Sequence, residues 1–335
     1  MNVGVIGTGA IGTDHVRRLT ARVAGARVTA VFDVDTARAA TVAAIAGATA
    51  HREAHDVIDD PAVEAVLVAS PGDTHADLVL ACVAAGKPVL CEKPLASTSG
   101  AALKVVEAEA TYGRRLVQVG FMRRYDVGYL GVKAALGAGR IGDPLLVHCV
   151  HRNVGVPAGF TGDMSLTDSL VHEVDACRWL LDQEIVAATV VEVPHSPLAS
   201  PELRDPRLVL LETERGIVVD AEVFVNARYG YDVRCEVVGT TGTVALEAPT
   251  TGAVALDGGR VQALPMDWQA RFGQAYVDEL QAWVDAVRRG VTEGPSAWDG
   301  YAATAVAEAA VASRGARTSV DLAERPALYS GESSS

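Results

Sequence analysis

Apolar residues in the first third of the chain come as short unbroken runs at Val3–Ile6, Val28–Phe32, Ala65–Ala69, Pro88–Cys91 and Leu116–Val119. Between them lie Ala-rich stretches with helical spacing near Ile11–Ala21, Thr36–Ala46, His75–Ala85 and Gly100–Tyr112. Runs without polar alternation suit strands covered on both faces. Strand–helix alternation of this kind predicts a parallel, doubly wound sheet with helices on either side.

The pattern changes near residue 122. A helix is expected at Val127–Leu136, a strand at Leu145–His151 and a helix at Asp168–Leu181. Strands follow at Ile185–Val193, Leu208–Glu212, Gly216–Val225, Asp232–Val238 and Thr243–Leu246, several alternating polar with apolar residues. That alternation marks an antiparallel sheet with unlike faces. Thr240-Thr241-Gly242 and Thr250-Thr251-Gly252 each precede a Val-Ala-Leu run, too few for a repeat architecture. Pro194–Pro206 is a Pro- and Ser-rich loop, and late helices are expected at Gly273–Arg289 and Trp298–Ser313. The expected division is a doubly wound domain over 1–122, an α+β domain over 123–327 and a flexible tail over 328–335.

A length of 335 residues suits two domains. No apolar stretch approaches the roughly 20 residues of a membrane span, and the chain opens directly into a strand without a basic leader. Lys plus Arg is 29 against 42 for Asp plus Glu, a net charge of −13, which disfavours nucleic acid and anionic membrane as partners. The five cysteines are scattered with no pair at metal-site spacing, so free buried thiols in a cytoplasmic protein without a metal are expected. His172-Glu173-Val174-Asp175-Ala176 departs from the zinc-protease pattern, since Ala176 stands where the second histidine is needed.

Gly7-Thr8-Gly9-Ala10-Ile11-Gly12 follows the first strand and opens the first helix, the context a dinucleotide fingerprint requires. Gly7 permits the tight turn, Gly9 lets the backbone approach a pyrophosphate, and Gly12 lets helix and strand pack closely. The helix N-terminus offers N–H groups to the phosphates. Asp33 ends the second strand, where an acidic residue reads the adenosine ribose. With Asp35 beside it, it opposes a 2′-phosphate, and Arg38 comes late for phosphate capture. The expected cofactor is therefore NAD.

A more specific match is Gly86-Lys87-Pro88-Val89-Leu90-Cys91-Glu92-Lys93-Pro94, with Ser70-Pro71-Gly72-Asp73-Thr74-His75 before it. These segments resemble those of the Gfo/Idh/MocA oxidoreductases, and the resemblance runs over nearly the whole chain. Further segments that carry it are Gly120-Phe121-Met122-Arg123-Arg124-Tyr125-Asp126, His151-Arg152-Asn153 and Asp168-Ser169-Leu170-Val171-His172-Glu173-Val174-Asp175, with Tyr231 and Tyr276. The resemblance implies an N-terminal Rossmann domain followed by an open-faced, mostly antiparallel sheet domain used for oligomerisation. It also implies hydride transfer to NAD and a homotetramer. The substrate it implies is a small polyol or sugar: myo-inositol, oxidised to its 2-keto form, or another inositol isomer, an aminocyclitol or a sugar. A non-catalytic NAD-binding regulator is the reading from another class. Ser70, Pro71, His75, Glu92 and Lys93 are expected near the cofactor, although capping serves His75 equally well. Arg123, His151, Asn153, Tyr231 and Tyr276 are expected to bind substrate hydroxyls.

Residue chemistry points the same way. Alcohol oxidation needs a base for the hydroxyl proton as hydride leaves carbon. A free imidazole titrates near 6.5 and a carboxylate can orient it. Asp168 and His172, four apart, share a helix face. Alone they suit a surface ion pair better; with Lys93 at a strand end, where parallel sheets bind ligands, they read as a base with its orienting partner. Lys93 is then the cation that holds the reacting oxygen.

Overall fold

The computed structural model describes residues 1–330 apart from 158, 201, 248–252 and 258. It forms two units. One comprises Met1–Met122, Gln274–Thr304 and the stretch from Leu322 on; the other comprises Arg123–Gly273 and Ala305–Asp321.

The first unit holds six parallel strands: β1 (Asn2–Ile6), β2 (Arg27–Phe32), β3 (Thr49–Ala50), β4 (Ala65–Val68), β5 (Val89–Glu92) and β6 (Val117–Gly120). Their order is β3-β2-β1-β4-β5-β6, which is the Rossmann arrangement. Helices α1 (Ala10–Ala21), α2 (Thr36–Ala46), α3 (Ala54–Asp59), α4 (His75–Ala84) and α5 (Ser99–Tyr112) make the crossovers. The strand order reverses between β1 and β4, so a crevice for ligands opens at their carboxyl ends. The expected strands and helices all form. Two elements were not expected, β3 and α3. β3 has two exposed residues and α3 buries only Val57 and Ile58, so neither leaves a hydrophobic period to read.

The second unit begins with α6 (Val127–Gly137) and β7 (Pro144–Arg152). A π-helical turn at Ser165–Leu170 then runs into α7 (Val171–Leu181). The strands β8 (Ile185–Val191), β9 (Arg207–Thr213), β10 (Val218–Phe224), β11 (Asp232–Gly239) and β12 (Thr243–Ala245) follow, then a hairpin of β13 (Ala253–Leu256) and β14 (Gly259–Gln262). Helices α8 (Trp268–Arg288) and α9 (Ala297–Ser313) and the short β15 (Thr318–Ser319) complete the elements. The large sheet runs β12-β11-β7-β10-β9-β8-β15. Its pairs are antiparallel except β7 with β10. The Thr250-Thr251-Gly252 turn lies outside the described residues.

Alternation divides the large sheet as the pattern predicts. Val147, Cys149 and His151 of β7 are buried, whereas Leu146, His148, Val150 and Arg152 are half-buried on the opposite face. That second face mixes half-buried Leu208, Leu210 and Val218 with ion pairs: His148 to Asp220 at 2.6 Å, and Arg152 to both oxygens of Glu222 at 2.6 Å. All five cysteines are free and buried. Cys149 and Cys235 are register partners, and the Cys149 and Cys177 sulfurs lie 3.7 Å apart.

The chain does not keep its late helices in one contiguous domain over 123–327. Leu280, Trp283 and Val284 of α8 join Val3, Val5, Val16, Leu19 and Val31 in the core of the first unit. Nor is the tail free from residue 328. Tyr329 is buried, and its hydroxyl donates to Glu109 Oε2 at 2.6 Å. Glu109 also accepts the N–H groups of Leu116 and Val117, which enter β6. Burial pushes the Glu109 carboxyl up despite these donors. Residues 331–335 lie outside the described residues. Tyr329→Phe should leave a buried carboxyl oxygen without its donor and destabilise the protein by about 1–3 kcal/mol, read from urea unfolding against the parent.

Candidate active site

The turn between β1 and α1 is shaped by close approach. Gly7 has φ +92°, and a Cβ there would stand 2.4 Å from Ser70 N and 2.5 Å from Ala69 O. A Cβ on Gly12 would meet Gly7 O at 2.0 Å, so the helix packs directly on the turn. At Gly9 a Cβ would meet nothing within 4 Å among the described residues, so open space faces the backbone where a pyrophosphate is expected. Gly9 caps α1 without a side-chain bond, leaving the N–H groups of Ala10 and Ile11 free of a side-chain cap. Thr8 turns inward instead: its N–H and hydroxyl donate to Asp33 Oδ2 at 2.7 and 2.9 Å. These residues fit a dinucleotide.

Asp33 is buried and heavily bonded. Asp35 N–H donates to Oδ1 at 2.8 Å, and Arg38 Nη2 reaches the same oxygen at 2.7 Å. Burial opposes its ionisation, but the Arg38, Asp35 and Thr8 bonds outweigh this and hold its carboxyl well below the usual range. Its carboxylate is therefore held ionised and fixed in place at the end of β2. Arg38, expected to lie late for phosphate, sits directly on it.

Glu92 ends β5 and is buried. His15 Nε2 lies 2.7 Å from Glu92 Oε1, and Lys93 N–H donates to Oε2 at 3.2 Å. Burial works against ionisation of Glu92; the His15 contact and then the Lys93 charge overcome it and lower the carboxyl below its ordinary value. Tyr276 meets the His15 ring edge-on at 5.6 Å and lies under the Arg18 guanidinium at 4.7 Å. Beyond Lys93, the ring nitrogens of His75 face two carbonyls, Pro94 O at 2.7 Å and Ser70 O at 2.8 Å. The Ser70 hydroxyl contacts Thr74 Oγ1 at 2.6 Å, which donates to Pro71 O at 2.7 Å.

In the second unit, Asp168 sits half-buried in the π turn and His172 is buried in the first turn of α7. π turns often occur at functional sites. The expected uniform helix thus begins with one wider turn at Asp168. His172 lies 6.0 Å from the His151 ring, and His151 lies 6.2 Å from Tyr231, centroid to centroid. Arg123, buried at the start of the unit, pairs with Glu173 Oε1 and lies 3.3 Å from His151 Nδ1. His151 Nδ1 is 3.0 Å from Glu173 Oε2. Burial resists the Glu173 charge, but Arg123 and then His151 outweigh it, so the carboxyl stays below its usual range. Burial pushes the Tyr231 phenol up to about 12, leaving it a hydrogen-bond donor at neutral pH. Asn153, just past β7, keeps a buried amide oxygen with no hydrogen-bond partner among the described residues.

Profile comparison agrees with both halves. The pattern described as oxidoreductase family, NAD-binding Rossmann fold, matches residues 1–121. The pattern described as oxidoreductase family, C-terminal alpha/beta domain, matches residues 133–322. The chain belongs to the Gfo/Idh/MocA oxidoreductase family. Among members of this Gfo/Idh/MocA family, inositol 2-dehydrogenase 1 of Saccharopolyspora erythraea is 55% identical over 333 residues, covering 98% of this chain and 99% of the relative. Inositol 2-dehydrogenase of Pseudomonas fluorescens is 49% identical, covering 98% and 99%. The crystal structure of myo-inositol dehydrogenase from Lactobacillus casei, in complex with NAD(H) and myo-inositol, matches with TM-score 0.95 and 38% identity over 98% of this chain and 99% of that one. The cofactor of the Rossmann domain is NAD.

Thus the residues expected at the cofactor gather around the β1–α1 turn and the carboxyl ends of β2, β4 and β5. Arg123, His151, Tyr231 and His172 gather in the second unit. Tyr276 belongs to the first unit, beside His15. Sequence reasoning missed Glu173, which lies between recognisable residues but shows its role only through Arg123 and His151. His15 carries no local signal of a role either, because its partner Glu92 lies 77 positions away. If Asp33 excludes a ribose phosphate, Asp33→Ser should free Arg38 to meet one. The NADP-to-NAD ratio of kcat/KM should then rise by about tenfold, the effect of ~1.4 kcal/mol. An unchanged ratio in steady-state assays would reject this role.

Proposed function

We propose that this chain oxidises a ring hydroxyl of a cyclic polyol, with myo-inositol giving its 2-keto form. The reading rests on one observation: a histidine buried at the head of α7, beside His151 and Tyr231, in an oxidoreductase with an NAD cradle. The names of its relatives supply the substrate class. Bound NAD⁺ supplies the acceptor for the two-electron hydride. His172 takes the hydroxyl proton as the C–H bond breaks and the carbonyl forms, so the products are ketone, NADH and a proton left on the base. Asp168 orients the imidazole and supports its charged form. Lys93 holds the reacting oxygen and stabilises developing alkoxide. Tyr231 offers a donor and Asn153 an unused buried acceptor, a set that suits ring hydroxyls. Arg123 and His151 support that surface. Ser70, Pro71, His75 and Glu92 line the cofactor side.

General base catalysis contributes about 10²–10⁴-fold, so His172→Ala should lower turnover by that range with NAD affinity nearly unchanged. Steady-state assays over a panel of inositols, aminocyclitols and sugars identify the ring. Near-normal turnover of His172→Ala, with hydride transfer rate-limiting, would move the base elsewhere.

The half-buried face of the large sheet supports a homotetramer. It carries Leu146, Val150, Leu208, Leu210 and Val218 among its ion pairs, a mixture suited to a second copy of the same chain. Five buried thiols without a disulfide suit a reducing cytoplasm. Sedimentation over a micromolar concentration series should give a tetramer; a monomer throughout would reject the assembly.

A further inference from the structure

Lys93 stands between two buried imidazoles. On its C-terminal side His75 joins Pro94 O to Ser70 O. On its N-terminal side Glu92 spans from His15 to the Lys93 backbone, one oxygen to each. We infer that His15 is a positioning residue for Lys93, acting through Glu92. The inference rests on the role given to Lys93 above.

The geometry leaves Glu92 little freedom. A Cβ on Gly120, in the adjacent strand β6, would stand 3.1 Å from both Glu92 Cδ and Oε2, so the carboxylate packs against bare backbone. His15 is wholly buried and its Nδ1 has no partner among the described residues, whereas Nε2 faces the acceptor-only carboxylate of Glu92 and so donates to it. Tyr276 closes the ring's edge and Arg18 covers Tyr276. Each contact fixes the next, from α8 through α1 to the end of β5. A lysine carries its ammonium on a flexible stem, so the site must hold the backbone to hold the charge. A buried His–carboxylate pair is also a poor device for stability alone, because desolvation cancels much of its attraction.

The test compares His15→Phe, which fills the space without a donor, with His15→Gln, whose amide can donate from a similar place. His15→Phe should lower kcat about 10–100-fold, the scale of an ångström-sized misplacement, with the NAD dissociation constant within about twofold of the parent. His15→Gln should recover most of the loss. Amide hydrogen exchange should rise in the peptide containing residues 89–96 of His15→Phe and stay unchanged in the rest of the first unit. Combining His15→Phe with Glu92→Gln should cost no more than the worse single change, because both act on one contact. Unchanged kcat in His15→Phe, failure of His15→Gln to rescue, or additive losses would each overturn the inference. If His15→Phe does not fold, the isosteric Glu92→Gln carries the same kcat and exchange measurements, with the same expected loss and the same unchanged result against it. Lys93→Met separates the two levels. Turnover retained there overturns the role of Lys93 itself, whereas an inactive Lys93→Met beside a fully active His15→Phe overturns only the positioning.

Discussion

The architecture of the first unit depends on backbone meeting backbone at the β1–α1 turn. Gly7 presses against the main chain after β4, and Gly12 presses α1 onto Gly7. A single methyl at either place would drive the first helix from the first strand. That contact aims the helix N-terminus across the carboxyl end of the sheet, and it brings Thr8 onto Asp33. The placement of Asp33 and that of the α1 N-terminus are therefore set by one constraint. His15 lies on the same helix, so the same constraint delivers an imidazole to Glu92.

Charge is handled by local compensation. Glu92, Glu109 and Glu173 are all buried acids, and each receives a distinct set of donors. Glu173 answers to Arg123 and His151, and these three tie the start of the second unit to β7 and α7. His172 is the next residue back from Glu173 on the helix. A carboxylate locked by an arginine thus fixes the helical turn from which the proposed base projects.

Much of this was legible in the chain because its signals are local. Unbroken apolar runs announce buried parallel strands, and glycines spaced around Gly7, Gly9 and Gly12 announce a turn that side chains cannot enter. Asp33 is readable because the fingerprint fixes its distance from that turn. What could not be read depends on partners far along the chain. Nothing near His15 announces Glu92, and nothing near Glu173 distinguishes a buried ion-pair anchor from a helix-surface acid. β3 and α3 are too short to carry a period. The π turn at Asp168 is a matter of one hydrogen-bond register, to which hydrophobic spacing is blind.

The return of α8 to the first unit affects how the protein is made. Leu280, Trp283 and Val284 complete a core whose other members begin at Val3. During synthesis the first six strands emerge long before those residues do. For that interval the nascent sheet has its glycine turn and its crossover helices but lacks part of its cover. An apolar surface is then open while residues 123–273 of the second unit are being translated. Stalled or truncated chains ending before α8 should consequently be substrates for chaperones and proteases rather than small stable Rossmann domains.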